Sequence, residues 1–240
     1  MFRGQNIKHI DAILLTNQLF ILSIKRILHK TKVHSLRNIA EGVYIISFLR
    51  NFKFTAGQVV AIDLVSNGQP RLYSIASGED EEYVDILFDE KPDGNLTPFL
   101  SKLNSGDTIY VSEPFGTFTT TRGKAFWIAS GTGVAPFVSM ARSGLAVDKI
   151  LIHGGRLDEN FYFSDVLESL MTYGYVRCCS QQQDTQNYNG RLTVWLMDNQ
   201  NLPTNCPYYL CGSPEMVVQV RDILIEKGIP FQNIVSETYF

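Results

Sequence analysis

The segment 124–140 reads KAFWIASGTGVAPFVSM and is typical of a buried strand, a tight turn and a helix in succession. Gly131 and Gly133 would let the backbone approach a diphosphate closely, and the following helix offers free N–H groups and the positive end of its dipole. Pro136 suits the first helical turn, where a missing N–H costs little. A G-x-G alone is more often only a tight turn, and the third glycine of the dinucleotide fingerprint is missing. Its position between a strand and a helix makes this loop a candidate nucleotide site.

The alternation of strand and helix continues to the end of the chain. Apolar runs typical of strands are KILIHGG (149–155), YVRCCS (175–180) and PYYLCG (207–212). Helical periodicity marks FSDVLESLM (163–171), RLTVWLMD (191–198) and MVVQVRDILIEKG (216–228). This pattern predicts a parallel sheet of five or six strands joined by right-handed crossovers. We therefore expect an α/β parallel-sheet nucleotide-binding domain over residues 122–240.

The first half of the chain shows short β-runs separated by Gly, Asp and Asn. These runs are VYIISFL (43–49), GQVVAIDLV (57–65), RLYSIAS (71–77), YVDILF (83–88) and DTIYVSE (107–113). One short helix is expected at Leu96–Leu103, after the Gly94–Asn95 turn. Closely spaced strands with hardly any helical periodicity favour an antiparallel β-barrel or sandwich. We expect a barrel over residues 26–121, with the boundary to the second domain near 120–124.

Composition and charge exclude several classes of protein. The 240 residues are 45% hydrophobic and 19% charged, as in ordinary globular proteins, and the net charge of −3 gives no global basic field for nucleic acid. Charge is nevertheless uneven: residues 1–60 hold nine basic and two acidic side chains, and residues 79–93 hold eight acidic and one basic. These stretches are either two solvated loops on opposite sides of the protein or, for the first, a basic surface that faces an acidic partner protein.

The cysteines and the N-terminus bear on location. The four cysteines have neither C-x-x-C nor zinc spacing, so we expect no metal site, reduced thiols and a cytoplasmic protein. The apolar run Ala12–Ile24 is shorter than the 20 or so residues of a membrane span. Lys25 and Arg26 stand where a signal peptide would need small residues. We treat residues 1–25 as an extension: a peripheral strand or helix, or the product of a misplaced start codon.

Two motifs of the first half could also bind phosphate. Arg71, on an alternating strand, could clamp a phosphate through two hydrogen bonds, and Tyr73 faces the same side and could stack on a flat ring. Residues 94–97 could offer backbone N–H groups to the same phosphates. Each of these motifs alone is usually structural, and so is the Cys211–Gly212 loop at the end of an apolar strand.

Taken together and in this order, the motifs resemble those of the ferredoxin–NADP reductase family of flavoproteins, and most closely its bacterial ferredoxin/flavodoxin–NADP reductases. The motifs are GQ (57–58), RLYS (71–74), GNLTPFL (94–100), GTGVAPF (131–137), LCGSPEMV (210–217) and SETYF (236–240). The resemblance extends from about residue 26 to the last residue. It implies FAD and NADP as cofactors.

The resemblance implies that the first domain holds FAD. Arg71 would bind the diphosphate, Tyr73 would stack on the isoalloxazine, and Ser74 would hydrogen-bond near flavin N5. The other implied FAD contacts are Leu72, Gly94, Leu96, Thr97, Tyr239 and Phe240. Many plant-type members end two residues after the glutamate, so Phe240 is additional here, and which aromatic covers which part of FAD stays open.

The second domain would receive the pyridine nucleotide. The implied diphosphate contacts are Gly131, Thr132, Gly133 and Gly212. Cys211 and Glu237 would lie near the nicotinamide and flavin N5, and with Ser74 they form the implied catalytic set. Hydride transfer requires nicotinamide C4 and flavin N5 about 3–3.5 Å apart, so an aromatic ring on that face of the flavin must first move away.

The choice between NADPH and NADH depends on groups around the adenosine 2′-phosphate. Similar bacterial reductases supply three arginines there. Arg156 and Arg191 stand at two of these places, whereas the third reads Ser180–Gln181 and lacks the guanidinium. We expect NADPH to be preferred, with weaker discrimination than three arginines would give; otherwise Arg156 and Arg191 are surface residues with no ligand.

The predicted function is that of a monomeric FAD-dependent oxidoreductase that passes electrons between NADPH and ferredoxin or flavodoxin. One alternative is the flavoprotein partner of dihydroorotate dehydrogenase, which would require a C-terminal cysteine cluster after Cys211. A second is the reductase component of an oxygenase, which usually carries a fused ferredoxin domain; this chain has no room for one, so its ferredoxin would be a separate protein. The third is a non-enzymatic regulatory domain of the same fold.

Overall fold

The computed structural model describes residues 26–171 and 174–237, which form two six-stranded sheets. The strands of the first sheet are β1 (Leu28–Ala40), β2 (Val43–Leu49), β3 (Val59–Asp63), β4 (Arg71–Ser74), β5 (Tyr83–Asp89) and β6 (Thr108–Ser112). They pair antiparallel in the order β4-β3-β6-β1-β2-β5. A bridge between Ile75 and Ile86 joins the segment after β4 to β5 and thereby closes the sheet into a barrel. The antiparallel barrel predicted from the sequence is confirmed.

Strand β1 is the element that the sequence pattern missed. It is 13 residues long, pairs with β6 through Leu28–Lys32 and with β2 through Val33–Ala40, and shifts register twice. Most of its side chains are exposed or half-buried, and only Val33 is fully buried. Its sequence, LHKTKVHSLRNIA, therefore lacks the apolar alternation by which the other strands were recognised.

The second sheet is parallel throughout, as predicted. Its strands are β7 (Ala125–Ser130), β8 (Lys149–Gly155), β9 (Tyr175–Cys179), β10 (Tyr188–Asn189), β11 (Tyr208–Cys211) and β12 (Ile234–Glu237). Their order is β10-β9-β8-β7-β11-β12, and each neighbouring pair is parallel. The order reverses beside β7, the strand that leads into the glycine loop, and ligands of open α/β sheets bind at such a reversal.

The described helices are α1 (Thr97–Leu100), α2 (Ala135–Met140), α3 (Ser164–Leu170), α4 (Leu192–Asp198) and α5 (Pro214–Glu226). A 3₁₀ turn over Gly131–Val134 precedes α2, and a π-helical turn over Ala141–Leu145 follows it. Helix α1 is shorter than the predicted Leu96–Leu103. After Leu100 the backbone continues in i→i+3 turn bonds toward the 104–106 turn, so the α-helix ends there.

Side chains of β7 alternate between two cores. Phe126 and Ile128 pack with α4 and α5, whereas Trp127 packs with Phe137 of α2. The second of these clusters also contains outward-facing barrel residues, including Val43, Ile45 and Leu87. The barrel interior is a third, separate cluster. The two sheets therefore share one apolar interface, which holds α2 against the barrel.

The described part of the basic stretch, residues 26–60, lies beside the acidic stretch, and for it the expectation of solvated loops on opposite sides is wrong. Strand β2 pairs with β1 on one side and β5 on the other, which brings the basic and acidic segments together. Arg37 Nη2 lies 3.9 Å from Asp85 Oδ2, and Arg50 Nε donates to Glu81 O at 2.7 Å. Arg37 thus faces an acidic side chain of the same barrel, and Arg50 binds the backbone of the acidic segment.

Some expectations fall outside the described residues. The extension 1–25, with its apolar run, and the terminal aromatics Tyr239 and Phe240 are among them. Within 26–171 and 174–237, no helix is both long enough and apolar enough to span a membrane.

Candidate active site

A cleft of about 2010 Å³ lies between the barrel and the carboxyl edge of the parallel sheet. Every predicted site residue within the described part of the chain lines it. From the barrel these are Arg71, Leu72, Tyr73, Ser74, Gly94, Leu96 and Thr97. From the parallel-sheet side they are Gly131, Thr132, Gly133, Arg156, Ser180, Gln181, Arg191, Cys211, Gly212 and Glu237. Motifs separated by up to 166 positions in sequence therefore meet in one site.

Strand β4 presents one charged and one aromatic side chain to the cleft. Arg71 is exposed and Tyr73 is half-buried, and both lie on the same side of the strand because side chains alternate. The Tyr73 ring packs edge-on against Phe88, with 6.4 Å between centroids. Burial raises the pKa of Tyr73 above its usual range, so the phenol stays neutral. An oriented neutral ring beside a guanidinium suits a flat ring system that carries a diphosphate.

The loop before α1 is tightly folded. A Cβ built on Gly94 would lie 2.9 Å from Lys91 O, so the turn is too tight to leave room for a side chain at this position. Lys91 N donates to Thr97 Oγ1 at 2.8 Å, which fixes the start of α1. Leu96 is buried and anchors the loop in the barrel core.

The two glycine loops, at the ends of β7 and β11, pack directly on each other. A Cβ on Gly133 would lie 2.4 Å from Cys211 O, and a Cβ on Gly212 would lie 2.4 Å from Ser130 Oγ. Gly131 has φ +55° with nothing within 4 Å of its Cβ position, so its backbone borders open space. Gly133 and Gly212 are thus required first by the close approach of two strand ends. The same approach leaves the backbone of both loops bare toward the cleft, as a diphosphate site needs.

Cys211 and Glu237 are register partners on β11 and β12. Cys211 is buried, and burial together with the Glu237 charge raises the pKa of its thiol well above the usual range. The thiol is therefore neutral and is not an activated nucleophile. A Cβ on Gly116 would lie 3.9 Å from Glu237 Oε1, so this carboxyl group reaches the barrel side of the cleft.

The predicted 2′-phosphate residues lie on three segments of the parallel-sheet domain. Ser180 N donates to Gly155 O at 3.0 Å and Gln181 N donates to Arg156 O at 2.9 Å, which holds the ends of β8 and β9 together. Arg191 comes from the segment before α4. Among the described residues, Arg71, Arg156 and Arg191 have no ion-pair partner. Three such cations and the bare glycine loops fit FAD and NADP, which bring two diphosphates and a 2′-phosphate.

Several residues that were not predicted from the sequence also line the cleft. Arg26 stacks over Phe115, with 3.6 Å from its guanidinium carbon to the ring centroid, and Gly116 follows with φ +104°. Tyr162 lines the cleft from the opposite side and is 9% exposed. The glycine in EPFG is the one signal of a special backbone position there. Nothing in the sequence around Tyr162 distinguishes it from an ordinary core aromatic.

Comparisons with known proteins agree with this arrangement. Residues 31–120 match the family model of the oxidoreductase FAD-binding domain, and residues 127–222 match that of the oxidoreductase NAD-binding domain. A solved ferredoxin NADP⁺ reductase from Neisseria gonorrhoeae with bound FAD and NADP superposes with a TM-score of 0.80. It is 22% identical, and the match covers 90% of this chain and all of that one.

Curated relatives narrow the assignment. The chain is 31% identical to a ferredoxin–NADP reductase of Pseudomonas aeruginosa and 30% identical to one of Azotobacter vinelandii, covering 91% of each protein and 84% of this chain. It is 26% identical to the toluate 1,2-dioxygenase electron transfer component of Pseudomonas putida, of which it covers 67%. The resemblance stated from the motifs is therefore confirmed. The chain belongs to the ferredoxin–NADP reductase family of FAD-dependent oxidoreductases.

Proposed function

We propose that this protein exchanges electrons between NADPH and a ferredoxin or flavodoxin, working as a monomer in the cytoplasm. The observation that carries the proposal is the single cleft in which strand β4 of the barrel meets the Gly131–Gly133 loop, Cys211 and Glu237. A flavin on β4 and a nicotinamide at the sheet edge would share that space. The four cysteines are free, which is compatible with a reducing compartment.

On the barrel side, each residue acts by binding or by orientation. Arg71 would pair with the FAD diphosphate, because it is a cation with no ion-pair partner among the described residues. Tyr73, held edge-on by Phe88, would present its ring to the isoalloxazine. Ser74 is buried at the end of β4 and would hydrogen-bond near flavin N5. FAD, when bound, supplies the conversion of a two-electron hydride into single electrons.

On the opposite side, the protein orients the pyridine nucleotide. The Gly131–Gly133 loop would receive its diphosphate, and Arg156 and Arg191 would face the 2′-phosphate. Cys211 is a small neutral side chain that leaves room for the nicotinamide, and Glu237 places a carboxylate beside it. Gln181 can donate hydrogen bonds without charge, so we expect a preference for NADPH that is moderate.

A basic face of β1 supports the proposal that the electron carrier is an acidic protein. Leu28 lines the cleft, and Lys30 and Lys32 follow on the same face of the strand because side chains alternate. Both lysines are exposed. An acidic carrier docked on this face would lie at the rim of the cleft and be steered there by charge.

The carrier is tested by salt dependence and charge reversal. Turnover with ferredoxin or flavodoxin should fall as ionic strength rises, because exposed charges are screened over about 8 Å at physiological salt. Lys30→Glu with Lys32→Glu should raise the KM for the carrier. Lys124→Glu, an exposed lysine before β7 at the opposite edge of the parallel sheet, is the matched control. If the KM for the carrier changes neither with ionic strength nor in the Lys30→Glu, Lys32→Glu variant, this face of β1 is not the docking surface.

The function itself is tested anaerobically. The purified protein should be yellow, should be bleached by NADPH faster than by NADH, and should pass electrons to a ferredoxin or flavodoxin of the same cell. A protein that binds no flavin would instead be a regulatory domain of this fold.

A second candidate is the electron-transfer component of an oxygenase. It is supported by the 26% identity to the toluate dioxygenase component over 88% of this chain. Faster bleaching by NADH than by NADPH, with no electron transfer to free flavodoxin, would favour this candidate.

A further inference from the structure

A group of polar contacts joins the end of α2 to the barrel segment that follows β4. Arg142 Nη1 lies 3.1 Å from Asp85 Oδ2 and donates to Ala76 O at 3.3 Å. Ser139 Oγ donates to Ser77 O at 2.7 Å. We refer to this group as the Arg142 cluster, which comprises Ser139, Arg142 and Ser143 on one side and Ala76, Ser77, Glu79, Glu81 and Asp85 on the other.

The backbone of α2 is distorted where it enters the cluster. Ala141–Leu145 forms a π-helical turn in which Gly144 has φ +76°. Within this turn, Ser143 Oγ accepts from Glu79 N at 3.0 Å and donates to Ser139 O at 2.8 Å. π-Helical turns are rare and frequently accompany functional sites. Here the wider turn places two consecutive side chains against the barrel.

The charges in the cluster are sheltered from water. The side chains of Arg142 and Asp85 are 17% and 13% exposed, and Ser77 and Ser139 are fully buried. Asp85 also accepts from Ser47 Oγ at 2.5 Å. Without Arg142, the sheltered Asp85 carboxylate would keep only the more distant Arg37, at 3.9 Å, as an ion-pair partner among the described residues, so these contacts favour one position of α2 on the barrel.

The cluster lies directly behind both halves of the cleft. On the barrel side, Ser77 follows Ser74, the last residue of the flavin strand, by three positions. On the other side, α2 begins at the glycine loop, and Gly133 packs on Cys211 without room for a Cβ. Helix α2 thus runs from the Gly131–Gly133 loop to the Arg142 cluster, which holds it against the segment that follows strand β4.

We propose that Arg142 is a positioning residue for hydride transfer, which fixes the distance between the Gly131–Gly133 loop and strand β4. The inference rests on the proposed function, since it requires the nucleotide and the flavin in this cleft. Reacting atoms must approach to about 3–3.5 Å, and a misplacement of 1 Å can cost about 10²-fold in rate. Arg142 is not among the residues that line the cleft, so its removal would change the separation of the two cofactors rather than their contacts.

The test is single-turnover flavin reduction by saturating NADPH. Arg142→Ala should slow it by about 10- to 100-fold. FAD content and the Kd for NADPH should stay within a factor of about two, and reoxidation of the dithionite-reduced enzyme by ferricyanide should be unchanged. Arg142→Lys, which keeps the charge near Asp85 but loses the planar fork, should recover part of the rate.

Two further variants separate positioning from general destabilisation. Arg177→Ala removes an ion pair with Glu168 (2.6 Å) that lies wholly within the parallel-sheet domain, and it should leave the rate unchanged. Ser139→Ala removes only the contact to Ser77 O and should slow the reaction in the same direction as Arg142→Ala. All rates are compared below the Tm of each variant.

Three outcomes would overturn the positioning role of Arg142. A folded, FAD-loaded Arg142→Ala enzyme that is reduced at the wild-type rate overturns the positioning role alone. An equal loss in Arg177→Ala also overturns it. If neither NADPH nor NADH reduces the flavin of the wild-type protein, the proposed function is overturned, and the positioning role with it.

Discussion

Cys211 and Glu237 lie directly opposite each other on the parallel strands β11 and β12, where the sheet faces the barrel. The neutral thiol and the carboxyl group thus stand side by side, and Glu237 reaches toward Gly116 of the barrel. This pair occupies the part of the cleft where the flavin and nicotinamide would meet.

Removing the charge at Glu237 should slow flavin reduction more than it weakens FAD binding. Losing a hydrogen bond to a charged group costs about 1.5–3 kcal/mol, or roughly 10–100-fold in rate. Glu237→Gln should therefore slow single-turnover reduction by NADPH within that range. Glu226→Gln, at the exposed end of α5, is the control. If NADPH reduces the flavin at the same rate in both variants, Glu237 does not belong to the reacting part of the site.

Arg71→Ala should lower flavin occupancy. The diphosphate of FAD would lose a charge-assisted contact, so the Kd for FAD should rise about 10–100-fold. The ratio of flavin to protein absorbance in the purified variant and titration of the apoprotein measure this. Arg122→Ala, an exposed arginine between the two sheets, should keep full occupancy. Retention of FAD by Arg71→Ala would show that another group holds the diphosphate.

Arg191→Ala should raise the KM for NADPH and leave that for NADH nearly unchanged. The arginine has no ion-pair partner among the described residues and lines the same cleft as Ser180. Losing one charge-assisted contact should cost about 10-fold or more. The converse substitution Gln181→Arg should strengthen the preference for NADPH. Parallel changes in both Michaelis constants would place Arg191 away from the 2′-phosphate.

Asp158 should support NADPH binding without touching it. Its carboxylate accepts from Thr185 Oγ1 (2.7 Å), Asn187 Nδ2 (2.8 Å) and Gln182 Nε2 (2.9 Å), and its N–H donates to Gln182 Oε1. The Thr185 and Asn187 bonds lower the pKa of Asp158, so it is ionised at neutral pH. The network ties the Arg156 segment to the loop after Ser180.

Asp158→Ala should accordingly raise the KM for NADPH several-fold while kcat changes little. Asp165→Ala, an acidic residue in the first turn of α3 outside this network, is the matched control. An unchanged KM in Asp158→Ala would mean that the loop holds its position without the carboxylate.

Stability should depend on pH through His153. This residue is fully buried, and burial, with a smaller contribution from Arg177, lowers its pKa from 6.5 to about 3. The unfolded chain binds a proton below pH 6.5 that the native state binds only near pH 3, so the free energy of unfolding falls as pH drops between these values. The contribution is at most about 1.4 kcal/mol per pH unit and is constant above pH 7.

The change in Tm between pH 7 and pH 5 measures this contribution. His153→Phe should show a smaller change than the wild type, although it also loses the 3.0 Å contact between His153 Nδ1 and Tyr175 Oη. His29→Gln, an exposed histidine on β1, should behave as the wild type does. Identical pH dependence in His153→Phe would show that His153 is not the group responsible.

The sequence by itself determined the two sheets, the glycine loops and the membership of the family. Those features follow from local patterns: apolar runs of strand length, helical periodicity and glycines between a strand and a helix. It could not reveal β1, whose side chains are mostly exposed, because its partners β6 and β2 supply the hydrogen bonds that make it a strand.

Only the tertiary structure decided what the long-range contacts are. Arg37 and Asp85 belong to segments of opposite charge that looked independent until β2 was seen to pair with both strands. Position 133 requires glycine because Cys211 O lies where a Cβ would stand, and Arg142 donates a hydrogen bond to Ala76 O. The two residues of each pair are far apart in sequence, so no local pattern encodes these contacts. Such contacts depend on how the closed barrel and the open parallel sheet pack on each other, and packing is a property of the whole chain rather than of any segment.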